Sequence, residues 1–67
     1  MKQVYLIGNK ETATYLRRNK TSWIRSLHSR QAMKFLTKSQ AQAHCNIINR
    51  NDLFPESMEV MEVNYKS

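Results

Sequence analysis

Residues 36–50 constrain the fold most, because they carry the clearest helical pattern in this 67-residue chain. Thr37 is a suitable N-cap, since its hydroxyl can accept a bond from a backbone N–H of the first helical turn. Gln40, three residues later, completes a capping box by reaching back to the Thr37 N–H. At roughly 100° per residue, one face carries the apolar side chains, which are Ala41, Cys45 and Ile48. This pattern predicts an amphipathic helix whose apolar face must pack against another part of the protein.

The residues on either side of this stretch mark where the helix begins and ends. Leu36, just before the cap, and Ala41, inside the helix, are placed to form a hydrophobic staple. After Arg50, Asn51 suits the left-handed conformation that ends many helices, and Pro55 cannot continue a helix. We therefore expect the helix to end at about residue 50.

Three other stretches have the apolar patterns of β-strands. Residues 2–8 and 12–18 flank the polar residues 9–11, which predicts an antiparallel hairpin. Residues 58–65 are predicted to form the last strand. The first strand is apolar on both of its sides, which is typical of a central strand.

Two shorter stretches lie between the hairpin and the main helix. Residues 21–27 contain Trp23 and fit a short strand as well as a helical turn, because periodicity does not distinguish the two over so few residues. Residues 30–33 are predicted to form a single helical turn capped by Ser29, with Ala32 pointing inward.

The resulting order is β-β-(short α)-α-β, which predicts an α+β fold with one domain over residues 1–67. The simplest arrangement is a small antiparallel sheet of three strands, or four if residues 21–27 add one, with the main helix packed on one face. Since the first strand is the most apolar, the helix is expected to lie over it. Cys45 and Ile48 should then touch Val4 or Leu6, together with the last strand.

Charge is distributed unevenly along the chain. Residues 1–40 carry nine Lys and Arg residues against one acidic residue, for a charge of +8, and residues 41–67 carry two against four, for −2. The two parts sum to the net charge of +6. A basic half predicts attraction to nucleic acid, an acidic protein surface or a membrane face. A solvated surface that keeps a small protein soluble is the alternative.

The chain lacks the residue combinations that catalysis and cofactor binding need. A single glycine excludes a Gly-rich phosphate loop, and His28, His44 and Cys45 lack the four-ligand spacing of a structural zinc site. His28 has serine neighbours but no third group to orient it as a base. A chain of this size also has little depth for a water-excluding pocket. We therefore predict a non-enzymatic protein with no catalytic residue, cofactor or metal.

Cysteine content and hydropathy bear on the compartment. The lone Cys45 excludes an intrachain disulfide, which fits a reducing environment. No apolar run approaches the roughly 18 residues of a membrane span, and the N-terminus lacks the apolar region of a signal peptide. These features predict a cytoplasmic protein without a membrane partner.

One basic segment suggests a binding role. Its candidate partner-binding or nucleic-acid-binding residues are Arg17, Arg18, Lys20, Trp23, Arg25, Arg30, Lys34 and Lys38. Nucleic-acid binders combine cations for phosphates with aromatic residues for stacking, although the main helix shows no recognition-helix pattern. Trp23 is expected to cover the core with its indole N–H at the rim.

Apolar and polar residues spread over most of the chain form a pattern that is similar to one in other small proteins. They are Tyr5-Leu6-Ile7, Tyr15-Leu16, Trp23, Ala32, Phe35, Thr37-Lys38, Ala41 and residues 60–63. This pattern resembles that of small, mostly uncharacterised bacteriophage accessory proteins of the host-takeover type. The resemblance implies a ββαβ-like fold and a phage or mobile-element origin, and it carries over no catalytic or binding residue. Such proteins often act by binding a host enzyme, nucleic-acid machine or defence component.

Three functions follow as hypotheses. The first is a small interaction module, phage-encoded, that binds and modulates a host protein or a nucleic-acid-processing machine in the host cytoplasm. The second is direct nucleic-acid binding by the basic segment, with a steep dependence on salt. The third is an obligate homo-oligomer that gains core by pairing an edge strand, either the second or the last. Under the first two hypotheses the protein is expected to be a monomer or a weak homodimer.

Overall fold

A computed structural model describes residues 2–65 of the chain. Its elements are β1 (Lys2–Asn9), β2 (Thr14–Asn19), β3 (Ser22–Ser26), a 3-10 helix (Ser29–Gln31), α1 (Lys38–Arg50) and β4 (Glu59–Tyr65). The strands form an antiparallel sheet in the order β3-β2-β1-β4. The predicted α+β class is confirmed, and the stretch that fitted either a strand or a helical turn is the strand β3. No helix in this range is long and apolar enough to cross a membrane.

The sheet order corrects the predicted edges. β3 and β4 lie at the two edges, whereas β2 lies inside the sheet. The prediction that the second strand is an edge was wrong, because residues 22–26 form a further strand and pair along it. The prediction that the last strand is an edge is confirmed.

The predicted hairpin of β1 and β2 is present but short, since the two strands pair only next to their turn within residues 2–65. Further along, the chain that follows the 3-10 helix lies between them. The Met33 N–H donates to the Leu16 carbonyl of β2 at 3.1 Å, and Tyr5 of β1 exchanges both backbone bonds with Phe35 at 2.9 Å. This inserted segment satisfies backbone groups that would otherwise be left without partners.

The first turn is longer than predicted, so β2 starts two residues later. The Asn9 side chain accepts a bond from the Thr12 N–H at 3.1 Å, and Ala13 has a φ of 53°. An Asx-type bond of this kind competes locally with strand pairing. Thr14 is consequently the first residue of β2.

Apolar side chains pack on both faces of the sheet. The larger core cluster contains Ile7, Leu16, Phe35, Ala41, Cys45, Ile48 and Met58, and Val60 packs against it. α1 lies over β1 and β4, as predicted for the most apolar strand. The predicted apolar face of α1, Ala41, Cys45 and Ile48, is buried as expected.

The predicted contact of Cys45 or Ile48 with Val4 or Leu6 was wrong. Val4 and Leu6 form a separate cluster with Ala32, because neighbouring residues of a strand point to opposite faces. Ala32, which is 3% exposed, covers that face. The face of β1 that carries Ile7 is therefore the one that α1 covers.

The 3-10 helix is stabilised differently from the prediction. Residue 28 occupies its N-cap position without a side-chain cap bond, and Ser29 is its first residue rather than its cap. The buried Ser26 instead ties the two ends of this turn together: its hydroxyl accepts from the His28 N–H at 3.2 Å and donates to the Gln31 side chain at 2.9 Å. The inward position of Ala32 is confirmed.

The N-terminal end of α1 matches half of its predicted cap. The Thr37 hydroxyl accepts from the Gln40 N–H at 3.2 Å. Across residues 2–65 no bond runs from the Gln40 side chain back to the Thr37 N–H, so the reciprocal half of the box is absent. The predicted staple is wrong as well, since Leu36 is 75% exposed.

The C-terminal end of α1 is a Schellman motif. The Leu53 N–H donates to the Ile48 carbonyl at 3.3 Å, and the Asp52 N–H donates to the Asn49 carbonyl at 3.2 Å. Asp52, with a φ of 50°, has the left-handed conformation that was predicted for Asn51, whose φ is −91°. The helix ends at the predicted residue, and its left-handed residue lies one position later.

Candidate interaction surface

Trp23 is the centre of an aromatic cluster that joins the sheet edge to the helix. Its ring stacks on Phe35, with centroids 6.5 Å apart, and His44 of α1 meets it edge-on at 6.1 Å. Phe35 and His44 are themselves 5.1 Å apart. Trp23 is half-buried and packs against the larger core cluster, which confirms its predicted place over the core.

Two arginines stack on half-buried aromatic rings in this region. The Arg18 guanidinium lies 4.9 Å from the Trp23 ring centroid, and the Arg25 guanidinium lies 5.6 Å from that of Phe54. Arg25 also pairs with Glu56 at 3.0 Å. Contacts between a cation and a partly exposed ring each contribute about 0.5–1 kcal/mol, so they order the arginine side chains more than they stabilise the fold.

An exposed apolar side chain, that of Leu53, flanks the same rings. Leu53 is 51% exposed, and it lines a cavity of about 310 Å³ with Thr21, Ser22, Trp23 and Phe54. We call the set Arg18, Trp23, Arg25, His44, Leu53 and Phe54 the Trp23 surface. It combines ordered aromatic and arginine side chains with an apolar residue that nothing in residues 2–65 covers fully.

The structure brings three of the eight predicted binding residues together. Arg18, Trp23 and Arg25 lie on the Trp23 surface. Arg17 follows Leu16 in β2 and precedes Arg18, so its side chain points to the other face of the sheet. Lys20 lies in the turn between β2 and β3, with a φ of 57°.

The remaining three predicted residues lie apart from that surface. Arg30 belongs to the 3-10 helix, and the Lys34 amine donates to the backbone carbonyls of Arg30 at 2.8 Å and Ala32 at 3.2 Å. Lys38 is the first residue of α1. The basic segment is therefore spread over several surfaces rather than gathered into one stripe.

Sequence reasoning missed Leu53, Phe54, Glu56 and His44 as members of this region. Leu53 and Phe54 lie between Asn51 and Pro55, the two residues that indicate the end of the helix. An apolar pair in an otherwise polar loop, outside every predicted strand and helix, was the signal that could have found them.

Cys45 is a core residue with a hydrogen-bonding thiol. It is 1% exposed, and its Sγ donates to the Met58 carbonyl at 3.2 Å. Burial raises the pKa of the Cys45 thiol, so the thiol stays neutral at physiological pH and is a poor nucleophile. Among residues 2–65 no group of three His, Cys, Asp or Glu residues is placed to hold a metal ion.

Comparison with known proteins adds no family to these observations. No family model matches the chain, and no curated protein and no solved structure matches it either. What the chain does is therefore inferred from its own residues.

Proposed function

We propose that this chain is a small non-enzymatic interaction protein that binds and modulates a larger protein through the Trp23 surface. Tryptophan and arginine are the residues most enriched among interface hot spots. Trp23 and Arg18 are already ordered by their mutual contact, so binding immobilises fewer side chains and loses less entropy. The observation that carries the proposal is the exposed Leu53 beside this ordered pair.

The origin of the partner is a separate part of the proposal. A phage-encoded chain, a bacterial host partner and a place in the host cytoplasm are supported by the resemblance to phage accessory proteins alone. The Trp23 surface supports a protein partner whatever its source.

Direct nucleic-acid binding is the alternative, and the placement of the cations favours it less. Arg17 and Arg18 point to opposite faces of the sheet, and the charge of Arg25 is already balanced by Glu56. A nucleic-acid strand gains affinity from many phosphate contacts made at once. Cations spread over several faces make fewer of these contacts than a single stripe.

A nuclease-controlled capture experiment tests the proposal. Tagged protein is incubated with bacterial lysate before and after nuclease treatment, and the captured proteins are compared for wild type, Leu53→Glu and Leu27→Glu. Leu27 is the matched control: it is an exposed leucine, at 71% against 51% for Leu53, and it lines a different pocket.

We expect one partner to survive nuclease treatment and to bind Leu27→Glu as it binds wild type. Leu53→Glu should weaken that binding by at least about 10-fold, because it places a charge beside hot-spot residues. Loss of every partner on nuclease treatment would favour nucleic-acid binding. An equal effect of both variants would move the binding site away from the Trp23 surface.

A further inference from the structure

The open edge of β3 presents backbone hydrogen-bonding groups. Lys20 and Thr21 form a two-residue turn, so the flanking residues Asn19 and Ser22 are a hydrogen-bonded pair of the β2–β3 ladder. Hydrogen-bonded and non-hydrogen-bonded pairs alternate along an antiparallel ladder. The next pair, Arg18↔Trp23, is consequently non-hydrogen-bonded.

The same alternation makes Leu16↔Arg25 a non-hydrogen-bonded pair. The Leu16 carbonyl agrees with this assignment, because it points away from β3 and accepts from the Met33 N–H. The N–H and C=O groups of Trp23 and Arg25 therefore point outward from the sheet. Within residues 2–65 no strand pairs with β3 on that side, so these groups are available to another chain.

The cavity beside Leu53 lies next to this edge and can accept a side chain. The apolar residues among those that line the cavity of about 310 Å³ are Trp23, Leu53 and Phe54. In strand addition, backbone bonds supply affinity and pockets for alternate side chains supply specificity. An apolar side chain of an added strand would fill this cavity.

Charge distinguishes the two edges of the sheet. Near β3, the side chains of Arg17, Arg18 and Lys20 make no ion pair within residues 2–65. The opposite edge strand, β4, carries Glu59 and Glu62. Glu59 is offset by Lys10 and Arg25 is offset by Glu56, so the charge that stays without an ion pair in the described part of the chain is positive near β3 and negative, from Glu62, on β4. An acidic strand is therefore favoured at the β3 edge over the β4 edge.

We propose that the partner is recognised through an extended acidic segment with interspersed apolar residues, which adds to the sheet alongside β3. This inference rests on the proposed function and specifies its mode of binding. The Trp23 and Arg25 backbone groups bind the added strand, and the cavity takes an apolar side chain. The cations near β3, which are Arg17, Arg18 and Lys20, select for acidic residues.

A synthetic peptide of alternating valine and glutamate, with both ends capped, tests strand addition at β3 without knowledge of the partner. It is titrated into the 15N-labelled protein to about 1 mM, a concentration that populates even a complex of about 4 kcal/mol. The backbone amide signals of Trp23 and Arg25 should shift in a saturable way. A valine–lysine peptide of the same length should leave them in place.

Two controls isolate the backbone bonds. Arg25→Pro removes the outward N–H while leaving the β2–β3 ladder intact, since proline is tolerated at an edge position of this kind, and Arg25→Ala removes the side chain alone. Arg25→Pro should bind the valine–glutamate peptide about 5-fold more weakly than Arg25→Ala, as for one lost hydrogen bond. A peptide methylated at every backbone nitrogen should not bind to the wild type, which tests the bond without altering the protein.

The outcomes separate this inference from the proposed function. Absence of shifts, shifts confined to β4, or equal binding by the methylated peptide would overturn strand addition at β3. A captured partner that binds Arg25→Pro and Arg25→Ala equally would also overturn it, while the role of the Trp23 surface would stand. Failure of Leu53→Glu to weaken capture would instead contradict the proposed function.

Discussion

At the scale of single residues, Asn49 links the end of α1 to the start of β4. Its side-chain amide donates to the Met58 carbonyl at 2.9 Å, and its carbonyl oxygen accepts from the Met58 N–H at 2.9 Å. The helical periodicity of residues 36–50 places Asn49 outside the apolar face of Ala41, Cys45 and Ile48 and predicts nothing more for its side chain. The sequence alone could not reveal this pair of bonds, because it depends on how the chain returns after the helix.

We predict that Asn49→Ala lowers the free energy of unfolding by about 1–3 kcal/mol, because it leaves the backbone N–H of the buried Met58 without its partner, while the Met58 carbonyl keeps the Cys45 thiol. Asn46→Ala is the matched control, since within residues 2–65 the Asn46 side chain accepts a bond only from the exposed Gln42. Its effect should be below about 0.5 kcal/mol. Urea unfolding followed by circular dichroism measures both. Equal losses would show that the bridge to Met58 is not formed in solution.

At the scale of elements, α1 was the most predictable part of the fold. Its bounds, its Thr37 cap and its buried face follow from local features that span a few residues. The face of β1 that it covers did not follow, because Val4 and Leu6 are as apolar as Tyr5 and Ile7. Ala32, which precedes the inserted segment, covers the face of Val4 and Leu6. The opposite face of β1 is the one that α1 covers.

The residues of the Trp23 surface likewise differ in how far the sequence could predict them. The sequence identified Trp23 as a binding candidate from its size and apolar character, and it identified Arg18 from its place in the basic segment. Leu53 and Phe54 could not be assigned to the same surface, because the turn after α1 brings them to β3 across the tertiary structure. Long-range contacts of this kind leave no periodic signal in a sequence.

We expect Ile48→Ala to lower the free energy of unfolding by about 2–5 kcal/mol, through lost transfer energy and a residual cavity. Ile48 is 2% exposed, whereas the neighbouring Ile47 is 51% exposed. Ile47→Ala should therefore cost less than about 1 kcal/mol, in the range of surface substitutions. Chemical denaturation of both variants measures the difference, and a larger loss for Ile47→Ala would mean that α1 packs through another face.

At the scale of the whole molecule, the Lys and Arg residues outnumber the acidic residues that could form ion pairs with them. The net charge is +6, and residues 2–65 contain ion pairs of Lys10 with Glu59, at 4.0 Å, and Arg25 with Glu56. The Lys10 pair is exposed on both sides, so it adds little to stability. Repulsion among the remaining cations opposes the compact state.

We therefore predict that added salt stabilises this protein. Raising sodium chloride from about 0.01 M to about 0.1 M shortens the Debye length from about 30 Å to about 10 Å and screens long-range repulsion. The free energy of unfolding in urea, an uncharged denaturant, should rise by an amount on the order of 1 kcal/mol. The double variant Arg17→Gln/Lys20→Gln lowers the net charge from +6 to +4, and its rise should be smaller. A fall in stability with salt would mean that the pair of Arg25 with Glu56 outweighs the repulsion, because screening would then remove more attraction than repulsion.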